Sequence, residues 1–194
     1  CDVWTETKAT FVDPHTVDVG EKHITGTMIA ICAGSRPRSL PLDGLEEVGY
    51  QTNETIFRIK EQPKRLIVIG SGPIGCELAQ AFQRLGTQVT LMNRSNHLLG
   101  KEDSDIQDVI RSVFTQEGID LQLGIDMQSA RIDGNEKVIT FAKDSQQHEV
   151  RADEILVAVG RTSNADTLKV EHAGVALDER GYIQTDATLR TNVK

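Results

Sequence analysis

Gly70-Ser71-Gly72-Pro73-Ile74-Gly75 is the stretch of this chain whose residue types and spacing could do chemistry. In a G-x-G-x-x-G run, the first glycine permits a tight turn. The second lets backbone approach a pyrophosphate, and the third lets a helix pack closely on a strand. Pro73 has no N–H to lose at a helix start. The free N–H groups of that first turn, with the positive end of the helix dipole, suit an anion. About 20 residues further on, a dinucleotide site that holds the ribose 2′-hydroxyl carries an acid. Here that place is Asn93, followed by Arg94. Asn93 offers no charge to repel a 2′-phosphate, and Arg94 can make a charge-assisted contact to one. The pair favours NADP, with NAD as the alternative.

The elements needed to position these residues are legible around them. Residues 66–69 are a continuous apolar run, read as a buried strand. In residues 73–85, Ile74, Leu78, Phe82 and Leu85 recur at helical spacing, and Gly86 ends the helix. Residues 88–92 read as the next strand. Ile106, Val109, Ile110, Val113 and Phe114 form a second stripe closed by Gly118, and residues 119–123 alternate as a strand. This β-α-β-α-β order predicts a Rossmann-type parallel sheet in an α/β fold. From 127 to 150 the period drops to two, with turns at Gly134-Asn135 and at 144–147, which predicts an antiparallel β-meander. A short buried strand at 155–159, stopped by Gly160, returns to the sheet. Upstream, residues 3–12 and 16–19 read as strands. Residues 28–32 read as a strand buried on both faces.

The bulk composition excludes several classes. The 194 residues are 38% hydrophobic and 26% charged, with no apolar run near the roughly 20 residues of a membrane helix. A formal net charge of −8 disfavours nucleic acid and anionic lipid as partners, so a phosphate must be gripped locally. Cys1, Cys32 and Cys76 form no C-x-x-C pair, and the five histidines are scattered, so no metal site is expected. An odd cysteine count points to a reducing, cytoplasmic setting.

Four stretches together resemble the flavin-dependent pyridine nucleotide–disulfide oxidoreductases, the group of glutathione reductase, dihydrolipoamide dehydrogenase and mercuric reductase. Residues 70–79, with Glu77 and Ala79, resemble that family's second glycine motif and its trailing G-x-E-x-A. Residues 31–37, with Ala33-Gly34-Ser35, resemble its A-T-G-S-x-P turn beside FAD, with Ala33 in the place of Thr. Residues 157–164, with Gly160-Arg161, resemble its v-G-R-x-P-N turn, with Ser163 in the place of Pro. Residues 181–193 resemble the lead-in to its closing G-D motif. Residues 41–54 most resemble the mercuric-reductase-like branch.

The resemblance implies three segments: 1–52 as a partial flavin-domain segment, 53–160 as the NAD(P)H-binding Rossmann domain, and 161–194 as the return into the flavin domain. It implies nucleotide contacts at Gly70 to Gly75, Asn93, Arg94, Gly160 and Arg161, and a flavin contact at Ala33, Gly34 and Ser35. Glu77 is the one catalytic candidate, beside nicotinamide and flavin. The family's first glycine motif, its C-x-x-x-x-C pair and its interface domain with a His-Glu pair have no counterpart in this sequence. Residues 1–194 are therefore expected to be the middle of a longer, homodimeric enzyme. In such an enzyme NAD(P)H reduces FAD, and electrons pass on to a disulfide or metal acceptor. The alternative is a stand-alone Rossmann module that senses NAD(H) without catalysis.

Overall fold

The computed structural model describes residues 2–194; Cys1 lies outside the described residues. The chain divides into two compact units. One combines the residues up to Arg36 with Arg161–Lys194, and the other is Pro37–Gly160. Residues 37–52, grouped with the leading segment in the sequence reading, thus belong to the central unit. They enter its core through Leu45 and Val48.

The first unit begins with an antiparallel sheet of β1 (Ala9–Asp13), β2 (Thr16–Val19) and β3 (Lys22–Thr25). The turn at 13–16 forms because the Asp13 carboxylate accepts the His15 N–H at 2.8 Å. The expected strand at 28–32 is not one. Met28 is 90% exposed, and only Ile29 and Ile31 turn toward the cluster of Phe11, Val170, Ala173 and Val175. An apolar run says nothing about which residues find backbone partners, and here one face alone is packed. The strand β4 (Ser35–Pro37) follows.

The central unit opens with a short helix, α1 (Leu45–Val48). Then come β5 (Arg65–Ile69), α2 (Pro73–Arg84), β6 (Gln88–Asn93), α3 (Ser104–Gln116) and β7 (Asp120–Leu123). The long strands β8 (Asp126–Asp133), β9 (Glu136–Lys143) and β10 (Gln146–Ala152) lead to β11 (Glu154–Val157). The short strand β12 (Arg161–Ser163), which belongs to the first unit, pairs with β4. The strands β11-β5-β6-β7 form one parallel sheet in that order, and β10-β9-β8 form the meander.

The two-residue period of β5 explains how both layers attach. Leu66 and Val68 point to the side occupied by Leu78 and Ala79 of α2 and Phe114 of α3. Ile67 and Ile69 point to the other side, against Ile139 and Phe141 of the meander and Leu45 of α1. Successive side chains of a strand face opposite ways, so an unbroken apolar strand is one covered on both faces. Helices cover one face of this sheet and the meander covers the other.

The hairpins follow turn chemistry. Asp133 pairs with Glu136 across Gly134-Asn135, where Gly134 has φ 63°. Lys143 pairs with Gln146 across Asp144 and Ser145, both left-handed at φ 50° and 62°. A ladder of charges runs along this layer. Arg65 meets Asp153 at 2.6 Å and Glu136 at 2.7 Å, and Arg151 meets Asp133 at 2.8 Å and Glu136 at 3.1 Å. Hydrogen bonds from Arg65 and Arg151 hold the Glu136 carboxyl below its ordinary range.

Phe114 is the largest side chain closed off under the helices, at 1% exposure. Phe114→Ala should cost about 3–5 kcal/mol through lost transfer energy and the cavity left behind. Urea unfolding followed by circular dichroism checks this; a loss under 1 kcal/mol would mean that the helical layer is not close-packed.

Candidate nucleotide-binding site

The glycine run forms the turn from β5 into α2. Gly70 has φ 112°, and its N–H donates to Met92 O at 2.9 Å, tying the turn to the end of β6. A Cβ on Gly70 would stand 2.4 Å from Ala158 O, and one on Gly75 would stand 2.0 Å from Gly70 O. Both positions are closed to any side chain. Gly72 differs, because nothing lies within 4 Å of where its Cβ would be. Its φ of −74° is ordinary, so no strain requires glycine there. The open side of Gly72 is where a ligand can approach backbone. Pro73 is the first residue of α2, and no side chain caps the helix start at Gly72. The first-turn N–H groups of a helix need partners, and an anion supplies them.

The ribose-reading candidates lie at the end of the adjacent strand. Asn93 ends β6 half-buried, and Arg94 is exposed in the turn that follows. The Asn93 amide Nδ2 donates to Ser95 O at 3.1 Å and to His97 O at 3.4 Å. Asn96 O accepts a bond from the Arg111 guanidinium of α3. The parallel pairing of β5 with β6, Ile69 opposite Met92, brings both turns to the same end of the sheet.

Glu77 is exposed on α2, two residues beyond Gly75. Cys76, beside it, is buried. Its Sγ lies 3.3 Å from Ser71 O as donor, and burial pushes its thiol up to about 11. Gly160, at the end of the central unit, has φ 124° and is exposed.

In the first unit, Arg161 bonds Ser35 through Oγ at 2.7 Å and through its carbonyl oxygen. Asn164 Nδ2 donates to Ala33 O at 2.9 Å, and Asn164 N donates to Gly34 O at 3.1 Å. Arg36 completes the set with a two-pronged contact to Asp166 at 2.9 and 2.6 Å. The Ala33-Gly34-Ser35 turn and the segment after Gly160 are therefore one hydrogen-bonded structure. Sequence reading named both halves without the bonds that join them, because residues about 130 apart give no local signal. Among the described residues no group of His, Cys, Asp or Glu could hold a metal ion, and no helix is long and apolar enough to cross a membrane.

The model of the pyridine nucleotide-disulphide oxidoreductases matches residues 2–194. The chain belongs to this family. Among relatives, mercuric reductase of Staphylococcus aureus is 37% identical over 185 residues, covering 95% of this chain and 34% of that protein. Glutathione reductase of Nostoc is 40% identical over 169 residues, covering 87% of this chain and 36% of that protein. The structure of the HOCl-induced flavoprotein disulfide reductase of Escherichia coli, solved as a Cu(II) complex, superimposes with a TM-score of 0.86 at 28% identity. That match covers 97% of this chain and 43% of the other. The chain spans little more than a third of the length of the two curated relatives. The mixed α/β architecture, a parallel sheet with added antiparallel strands, is that of the matching part of the flavoprotein reductase.

Two glycines of the turn, Gly72 and Gly75, should separate in one experiment. Gly75→Ala forces a methyl against Gly70 O and should destabilise by at least about 1–3 kcal/mol. Gly72→Ala should stay within about 0.5 kcal/mol of the parent. Thermal melts of the two variants side by side test this, and equal losses would contradict the tight packing at Gly75.

Proposed function

We propose that the central unit binds NAD(P)H, as the nucleotide-binding part of an FAD-dependent reductase. The observation that carries this is the contrast within the glycine turn. Two glycines are closed by backbone, and one opens onto space in front of an uncapped helix start. That is the arrangement a pyrophosphate needs, since it must come within hydrogen-bond distance of N–H groups that a side chain would cover. In this reading the backbone of Gly70, Ser71, Gly72, Pro73, Ile74 and Gly75 lines the pyrophosphate site, with the Ser71 hydroxyl turned away to His97 O, and Asn93 and Arg94 address the adenosine ribose. Gly160 completes the nucleotide contacts of the central unit. Glu77 serves at the nicotinamide end.

The flanking residues, those up to Arg36 and 161–194, fit the role of flavin-domain segments, with Ala33, Gly34 and Ser35 toward FAD. When bound, FAD supplies the hydride acceptor and passes electrons to a disulfide or a metal ion. The residues of this chain bind and orient the nucleotide; proximity is their share of catalysis. The whole enzyme is inferred to work as a cytoplasmic homodimer. Cys32 and Cys76 are both free thiols, which suits a reducing compartment.

NADP is favoured over NAD because Arg94 is exposed next to an uncharged Asn93. Titration calorimetry should give tighter binding of NADPH than of NADH. Arg94→Ala should remove about 1–3 kcal/mol from NADPH binding and leave NADH nearly unchanged. Tighter NADH binding by the parent protein would overturn the NADP assignment. Gly72→Val, which the open space accommodates, should abolish binding of both nucleotides.

A further inference from the structure

Ser71 is a polar side chain sealed inside the glycine turn, at 6% exposure. A buried hydroxyl is costly without a partner. Its partner is not in the turn: Ser71 Oγ donates to His97 O at 2.8 Å. The Ser71 carbonyl reaches the same neighbouring segment, accepting the Leu99 N–H at 2.8 Å. Leu99 itself holds a left-handed φ of 48°, uncommon for a branched residue, so the segment is bent to meet the glycine turn. His97 O is shared, because the Asn93 amide also donates to it. With both donor contacts of Asn93 Nδ2 spent on Ser95 O and His97 O, the amide's remaining polar atom is Oδ1, an acceptor.

We propose that Ser71 is a positioning residue for cofactor recognition. Through His97 O and Leu99 N it holds the 93–99 segment against the glycine turn, so that Asn93 and Arg94 meet the ribose end in a fixed arrangement. This rests on the nucleotide-binding reading above. Ser71 couples the two ends of the adenosine-diphosphate site without reading the ribose itself. The two hydrogen bonds are made before any ligand arrives, so the ordering cost of the ribose-reading turn does not fall on binding.

The test is Ser71→Ala and Ser71→Thr, titrated with NADPH, NADH and inorganic pyrophosphate. Hydrogen exchange at the Leu99 amide is read alongside. Pyrophosphate addresses the glycine turn alone. For Ser71→Ala the expected result is a roughly 5- to 20-fold loss for NADPH and a smaller but clear loss for NADH. Pyrophosphate affinity should stay within about twofold, and Leu99 exchange should be faster, as expected when one buried hydrogen bond is removed. Ser71→Thr keeps the hydroxyl and should restore the affinities. An equal loss for pyrophosphate and both dinucleotides would overturn the proposal, since Ser71 would then matter only to the turn. So would unchanged nucleotide affinity in Ser71→Ala. If the parent binds NADH as well as NADPH, the Arg94 reading fails. The positioning role is still supported or refuted by the gap between NADH and pyrophosphate. If the parent binds no nucleotide, both readings fall.

Discussion

The backbone of α2 touches the backbone of the turn that precedes it, and the unit is organised by that contact. At Gly75 there is no room for a methyl group before the carbonyl of Gly70 is met, and at Gly70 none before that of Ala158. Three segments, the turn after β5, the first turn of α2 and the end of β11, therefore pack as bare backbone. This closeness brings the helix axis down onto the sheet. Leu78 and Ala79 then reach the apolar face made by Leu66, Val68 and Leu91. The helix start at Gly72 carries no side-chain cap, and the space beside Gly72 is open. Close packing at Gly70 and Gly75 and open space at Gly72 thus follow from the same absence of side chains.

The sheet has a second dependence. A central strand as apolar as β5 has to be covered on both faces, and a doubly wound fold meets this with helices on each side. Here the second cover is a three-stranded meander with α1. Meander strands have one face free for solvent, and that free face carries the charges. Arg131 and Glu149 pair at 3.0 Å, and the Arg151, Asp133 and Glu136 contacts continue the row. Exposed pairs contribute little stability each, but on antiparallel strands they favour one register over its neighbours.

The parts legible in the sequence were those where a residue's type reports its own surroundings. Glycines forced by close approach, the helical recurrence of Ile74, Leu78 and Phe82, and the turn residues at 134–135 and 144–145 all lie where periodicity and turn chemistry put them. The 28–32 segment misled because Met28, Ile29 and Ile31 look alike in composition. Yet Met28 faces outward and the two isoleucines do not. The extent of the central unit was hidden too, since nothing in the polar stretch before Thr52 shows that Leu45 is wholly buried. The partners of Ser71 were invisible for a simpler reason. They are the carbonyl of His97 and the N–H of Leu99, and any residue supplies those.

Cys76 sits one residue past the last glycine of the turn, with its thiol donating to Ser71 O. Burial pushes its thiol up to about 11, so the protonated thiol dominates at neutral pH. The thiolate is the form that alkylating agents, peroxides and disulfides attack. A buried sulfur kept in the thiol form is a poor target for such reagents. It serves as a small, slightly polar filler at the root of α2.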